Sequence, residues 1–243
     1  MQSVLVRPVL EGQFKKEYAA RPEELAGMTL VVAATNGREI AAGADTRVYE
    51  GDESVYRTYD VPKLHVVNQG RWVIAFSGLG SQAKAVWEYL EATAPTFNPD
   101  IRIGVMECIE RMGDVYQRCR LPHGAKVLLA GFSNEQPRIY QWDMAEPSPQ
   151  GGESPAWGAI GVGVGVALHF VRNCEPLHAL NLEQLSSLVY FSISEVANSD
   201  LRVARPIDVG VIRSTGAEIR SRDSLQHLEE KSVRLARLTR ENL

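Results

Sequence analysis

The chain has no run of residues long and apolar enough to cross a bilayer. Its longest weakly charged stretch, Ala156–Phe170, is too short and too rich in glycine. The first 27 residues carry Lys15, Lys16, Glu17, Glu23 and Glu24, so they lack the apolar centre of a secretory leader. Together these absences predict a cytoplasmic protein with no membrane partner. Basic charge is not in excess either. Lys and Arg number 26 against 30 Asp and Glu, a formal net charge of −4 with no basic face, so nucleic acid is not an expected partner. Cysteine is scarce: Cys108, Cys119 and Cys174 are odd in number and lack metal-ligand spacing. Cys108 falls on a helical apolar stripe, and buried free thiols are the expectation for the set. The five histidines (His65, His123, His169, His178, His227) are scattered, with no i, i+4 pair and no Ser or Cys nucleophile beside them. Zinc and Ser-His-Asp mechanisms therefore find no support.

What is present is an ordinary globular composition, 44% apolar and 23% charged, over 243 residues. That length suits one large domain, or at most two small ones. Residues 29–35 (TLVVAAT) and 38–45 (REIAAGAD) are extended runs joined by Asn36-Gly37, a strong hairpin signal because both residues tolerate positive φ. KLHVV (63–67) and RWVIAFSG (71–78) form a second pair across Asn68-Gln69-Gly70. The intervening 46–62 reads as a loop or a short irregular hairpin. The period then changes. Helices are predicted over 81–94, ended by Pro95, and over about 101–120, with Ile101, Val105, Cys108, Met112 and Val115 on one face. Strands return at 125–133, 138–143 and within WGAIGVGVGV. Further helices follow over about 165–174 and from Asn181, which opens a capping box with Gln184 and carries Leu182, Leu185, Val189, Ile193 and Val196. Strands at 206–213 and 217–221 and a charged helix from Asp223 to about Arg240 complete the order.

Strand pairs alternating with helix pairs do not make βαβ units. They predict an α+β fold: a four-layer αββα sandwich, two stacked antiparallel sheets flanked by helices. The GVGVG at 161–165 lacks the GxGxxG spacing and a following acidic residue, so it is a turn rather than a nucleotide loop.

Several pieces, in this order along the chain, resemble the proteasome family, which includes the α and β subunits of the 20S particle and bacterial β-like ring proteases. They are Gly27-Met-Thr-Leu-Val-Val, Gly43-Ala-Asp45-Thr-Arg47, Lys63-Leu-His-Val-Val, Ala75-Phe-Ser-Gly78-Leu-Gly-Ser-Gln-Ala83, Pro137-Arg-Ile-Tyr-Gln-Trp-Asp143, Ala159-Ile-Gly161-Val-Gly163, Asp200, and Ile207-Asp-Val-Gly-Val-Ile212. The resemblance implies an N-terminal-nucleophile hydrolase fold with an extension over 1–27, a core over 28–221 and a C-terminal helix over 222–243. It further implies Thr29 as nucleophile, Asp45 and Lys63 as its carboxylate and lysine, the Gly78 N–H as oxyanion donor, and Asp200 as a second carboxylate near the amine. A threonine freed at the N-terminus supplies its own base, because its α-amine can take the hydroxyl proton. Nucleophile and base then both belong to the chain, and no metal or organic cofactor is implied. The implied partners are copies of the chain in a ring, polypeptide substrates, a second subunit type and an ATP-dependent unfoldase.

The chain departs from an active member at three places. Met28 separates Gly27 from Thr29, and two registers fit: counting back from Asp45 puts Thr29 in the nucleophile position, and counting from Asn36-Gly37 puts Met28 there. Active β subunits carry hydroxyls where this chain has Val162 and Val203, and a valine donates nothing to the amine. Residues 12–19 resemble the stretch before the core of non-catalytic α subunits, with a cleavable propeptide as the competing reading of 1–27. Three functions follow: a self-processing threonine endopeptidase, a non-catalytic α-like subunit that builds or gates a ring, and an amide hydrolase of small molecules.

Overall fold

The computed structural model describes residues 29–52, 55–78, 97–119, 125–144, 153–154, 156–221 and 224–231. The expected extension over 1–27 and helix over 81–94 lie outside the described residues, as does the last helix beyond residue 231.

Strand β1 (Leu30–Thr35) and strand β2 (Ile40–Asp45) form the hairpin marked by Asn36-Gly37. Gly37 has φ of 84°, and the Asn36 side chain accepts from the Arg38 and Glu39 amides, so the turn is stapled by its own residues. Segment 46–62 is more regular than a loop: β3 (Arg47–Asp52) and β4 (Val55–Asp60) pair as an antiparallel ribbon. Then come β5 (Leu64–Val67), β6 (Trp72–Ser77), helix α1 (Ile101–Cys119), β7 (Lys126–Ser133), β8 (Gln136–Asp143), the two-residue β9 (Glu153–Ser154) and β10 (Trp157–Gly161). Helix α2 (Val164–Asn173) and a single 3-10 turn (Leu177–Ala179) precede helix α3 (Leu182–Ser199). Strands β11 (Ile207–Arg213) and β12 (Gly216–Ile219) follow, and residues 224–231 form helix α4.

The strands assemble into two five-stranded antiparallel sheets, ordered β10-β1-β2-β11-β12 and β5-β6-β7-β8-β9. The expected sandwich is the observed fold. Its layers follow from strand alternation. Along β1, Val31 and Ala33 pack with Leu64, Val73, Ala75, Leu128 and Ile139 between the sheets. Leu30, Val32 and Ala34 point the other way, under α2, α3 and α4, where Leu185, Val189, Ile193 and Leu228 meet them. The outer face of the second sheet packs Trp72, Ile74 and Phe76 under Ile101, Val105, Cys108 and Met112 of α1. Both sheets are thus buried on two faces, which is why β1 and β6 read as unbroken apolar runs.

Helix α3 begins with the capping box read in the sequence: the Gln184 amide donates to Asn181 Oδ1 and the Asn181 amide to Gln184 Oε1, each at 2.9 Å. This helix lies so close to β2 that a Cβ on Gly43 would sit 2.7 Å from Val189 Cγ1. The thiols divide. Cys108 is buried and its pKa is pushed up to about 12 by burial, whereas Cys174, at the end of α2, is exposed, contrary to expectation. A helix end leaves its last residues at the surface unless another element covers them.

Candidate functional site

At one end of the sandwich, where β1 begins and β2 ends, charged groups enter the core. Asp45 closes β2 and is completely buried; Lys63, just before β5, is 7% exposed. The Lys63 ammonium donates to Asp45 Oδ2 at 2.9 Å and to the Arg47 carbonyl at 2.7 Å. The other carboxylate oxygen accepts the Leu30 amide at 2.8 Å. One carboxylate therefore bridges Lys63 to the amide immediately after Thr29. Antiparallel pairing of Val31 with Ala44 puts those groups opposite each other.

Thr29 itself is 4% exposed and shares the alternation of Val31 and Ala33, the residues that face the second sheet. Its carbonyl accepts the Val162 amide at 2.9 Å. The Gly161–Val162 turn wraps that carbonyl so tightly that a Cβ on Gly161, where φ is 102°, would fall 1.7 Å from the Thr29 oxygen. Only glycine fits there.

Burial raises the Asp45 carboxyl above the usual carboxylate range, opposed by the Lys63 charge and by the Leu30 amide. Burial likewise lowers Lys63 below the usual lysine range, opposed by Asp45 and, at longer reach, by Asp60 and Asp208. A lysine so placed is a cation that cannot move away: its partners are strand-end groups, and the pair has little water around it.

Of the other residues singled out from the sequence, Gly78 follows β6 with φ of 144° and is half-buried; a Cβ there would come to 3.0 Å from Ala125 Cα. Asp200 caps the C-terminus of α3, and its carboxylate is held by Arg202, at 3.0 Å from Nε, 2.8 Å from Nη2 and 3.0 Å from the backbone amide. The arginine lowers the Asp200 carboxyl below its usual range. The structure thus brings Asp45 and Lys63 together beside Thr29, and it gives Asp200 to Arg202. Val203 is buried in the cluster under α3, and Val162 packs against the same cluster. Both valines serve as core. Among the described residues no group of three His, Cys, Asp or Glu side chains gathers as a metal cage.

Sequence reasoning missed the groups that hold Lys63 and Asp45 from behind. The Arg47 carbonyl and the Leu30 amide are backbone atoms, so no residue type announces them. Residues 204–206 are likewise stitched to the site: the Ala204 amide donates to Asp45, and the Pro206 carbonyl accepts both the Thr46 amide (3.1 Å) and the Thr46 hydroxyl (3.0 Å).

With this geometry in hand, comparison with known proteins defines a class of fold. No protein-family model matches the chain, and no curated protein matches it. Solved structures do. A Gly-1 mutant of Anbu from Hyphomicrobium sp. strain MC1 superposes with a TM-score of 0.69 at 18% identity, covering 88% of this chain and 97% of that one. Anbu from Yersinia bercovieri, described as an ancestral beta-subunit, gives 0.68 at 16% identity, over 88% and 97%. The likeness at these identities is one of fold. It corrects the family read from the sequence: these neighbours are Anbu at under 20% identity, and no match of sequence supports membership of the proteasome family. Where those short pieces fall on described residues they are strands and the turns or strand ends beside them, so what they mark here is the fold. Among the described residues no helix is long and apolar enough to cross a membrane.

Proposed function

We propose that this chain is an amide hydrolase that cuts itself between Met28 and Thr29 and then uses Thr29 as an N-terminal nucleophile against polypeptides. The observation that carries the reading is the buried Asp45–Lys63 pair, joined through the Leu30 amide to the residue beside Thr29. In the uncut chain the Thr29 hydroxyl attacks the Met28 carbonyl, the acyl group passes from nitrogen to oxygen, and water hydrolyses the ester to leave a free amine. In turnover that amine takes the hydroxyl proton as oxygen attacks the substrate carbonyl, and the proton then goes to the departing amine. Water releases the acyl group and restores the threonine. Lys63 supplies a fixed positive charge that favours a neutral amine and an oxygen anion, and Asp45 keeps it in place. The Gly78 N–H is the oxyanion donor in this scheme. Residues 1–28 are then a propeptide.

A second reading rests on three other residues singled out from the sequence. Val162 and Val203 offer no hydroxyl, and Asp200 is engaged by Arg202. A subunit of this kind builds a ring with copies of itself and leaves catalysis to others. The description of one Anbu as a beta-subunit supports assembly into a larger particle in either case.

Intact mass of the purified full chain decides between them. Loss of residues 1–28, abolished by Thr29→Ala, together with hydrolysis of peptide–fluorophore substrates, is expected from the first reading. A persistent Met1–Leu243 mass with no hydrolysis sinks it and leaves the second. Native mass spectrometry tests assembly, and a strict monomer counts against both.

A further inference from the structure

Arg205 sits at the centre of segment 204–206, and its backbone and its side chain face different parts of the molecule. Its carbonyl accepts Arg47 Nη2 at 3.0 Å, and the Arg47 carbonyl is the second acceptor of the Lys63 ammonium. Its two neighbours bond the same strand end, Ala204 to Asp45 and Pro206 to Thr46. The guanidinium turns the other way. Nη2 donates to the hydroxyl of Ser194, a buried residue of α3, and Nη1 donates to Glu229 of α4 at 3.1 Å. A forked side chain fixed at both prongs is the usual way to immobilise a segment that has no regular structure. Helix α4 is itself held to the core by buried Leu225 and Leu228 and by the Lys231–Glu183 contact at 3.6 Å.

We infer that Arg205 is a positioning residue: by clamping segment 204–206 to α3 and α4 it holds Asp45 and the Arg47 carbonyl in the places that fix Lys63. The inference rests on the threonine-hydrolase reading only for its kinetic consequence. The charged groups around Lys63 are Asp45 on β2, Arg47 on β3, Asp60 on β4, Asp208 on β11 and, after processing, the Thr29 amine. Arg205→Ala also removes a cation whose field alone would raise Lys63, whereas Arg205→Lys keeps that charge and Glu229→Gln removes a negative one, so an upward shift of Lys63 in these two variants reports position.

The test uses full-length chain with 13Cε-labelled lysine, comparing wild type with Arg205→Ala, Arg205→Lys and Glu229→Gln. Loosening 204–206 admits water to the pair, so Lys63 in Arg205→Ala is expected to titrate upward, toward an ordinary lysine. The amine, no longer beside a fixed cation, then titrates higher as well. The acid limb of kcat moves up by about one pH unit, a loss of about tenfold at neutral pH that recovers at alkaline pH, with KM within about twofold. Arg205→Lys, which can reach one anchor, is expected between the two. Glu229→Gln is expected to move Lys63 in the same direction by less, and it decides the matter if Arg205→Ala does not fold. An unmoved Lys63 titration, or a rate loss equal at every pH, overturns the inference. If wild type neither processes itself nor hydrolyses peptide, that strikes the functional reading, and the Lys63 titration still decides the role of Arg205.

Discussion

Two regions singled out from the sequence, the Asp45–Lys63 corner and the set Val162, Val203 and Asp200, are built on different principles. In the first, Asp45 takes the Leu30 amide and Lys63, Lys63 takes Asp45 and the Arg47 carbonyl, and the pair is buried. In the second, Val162 and Val203 fill space in the cluster under α3, and Asp200, near the surface, is paired with Arg202. A buried ion pair with good geometry is an expensive structure that rarely adds stability over an apolar substitute. Its presence beside Thr29 points to chemistry. The valine side costs nothing to maintain and points to packing. The difference teaches that a buried charged pair and an apolar filling are separable parts of one fold.

The largest expected effect comes from breaking the charged side. Lys63→Ala leaves Asp45 buried without its cation and is expected to cost about 3–5 kcal/mol of stability, read by urea unfolding, and to stop self-cleavage. Combining Asp45→Asn with Lys63→Met should cost less than Lys63→Ala alone while still preventing cleavage. A double variant as unstable as the single one would show that packing, rather than charge, governs the corner. Next comes the turn that grips Thr29. Gly161→Ala places a methyl group into the Thr29 carbonyl at a φ unfavourable to alanine, and a loss of at least about 2 kcal/mol in the same assay is expected.

The comparison is sharpened on the valine side. Val162→Ser restores a hydroxyl at a half-buried position. The stability cost is expected to be about 1 kcal/mol, with a several-fold faster peptide hydrolysis if the Thr29 amine is the base. An unchanged rate in a processed enzyme would mean that the amine is steadied elsewhere.

The last effect, absent at neutral pH and seen only on acidification, concerns His65, two residues after Lys63. Burial lowers its pKa from 6.5 to about 4. The folded state therefore binds fewer protons than the unfolded one between those values, and stability present above pH 6.5 is lost as pH falls toward 4. Melting temperature measured from pH 7 down to 4.5 should fall less in His65→Gln than in wild type; parallel curves would remove His65 from the account.

Much of this was legible along the chain. The alternation of β1 and β2, the Asn36-Gly37 turn, the α3 capping box and the stripe Ile101, Val105, Cys108, Met112 are local patterns, and each reappears in place. The ribbon of β3 and β4 was only half legible, because its charged and Tyr-rich residues lack an apolar face to mark the strands. Cys174 was misplaced because its exposure depends on where α2 ends.

For the site, the sequence by itself determined which side chains are able to act: a threonine before an apolar strand, an aspartate at the end of the next, and a lysine after the ribbon. Only the tertiary structure decided that Asp45 bridges Lys63 to Leu30 and that Arg205 stands behind the pair. The physical reason is that these contacts join residues 15, 18 and about 160 positions apart, in several cases through backbone N–H and C=O groups. Every residue carries those groups, and only the fold determines where they point.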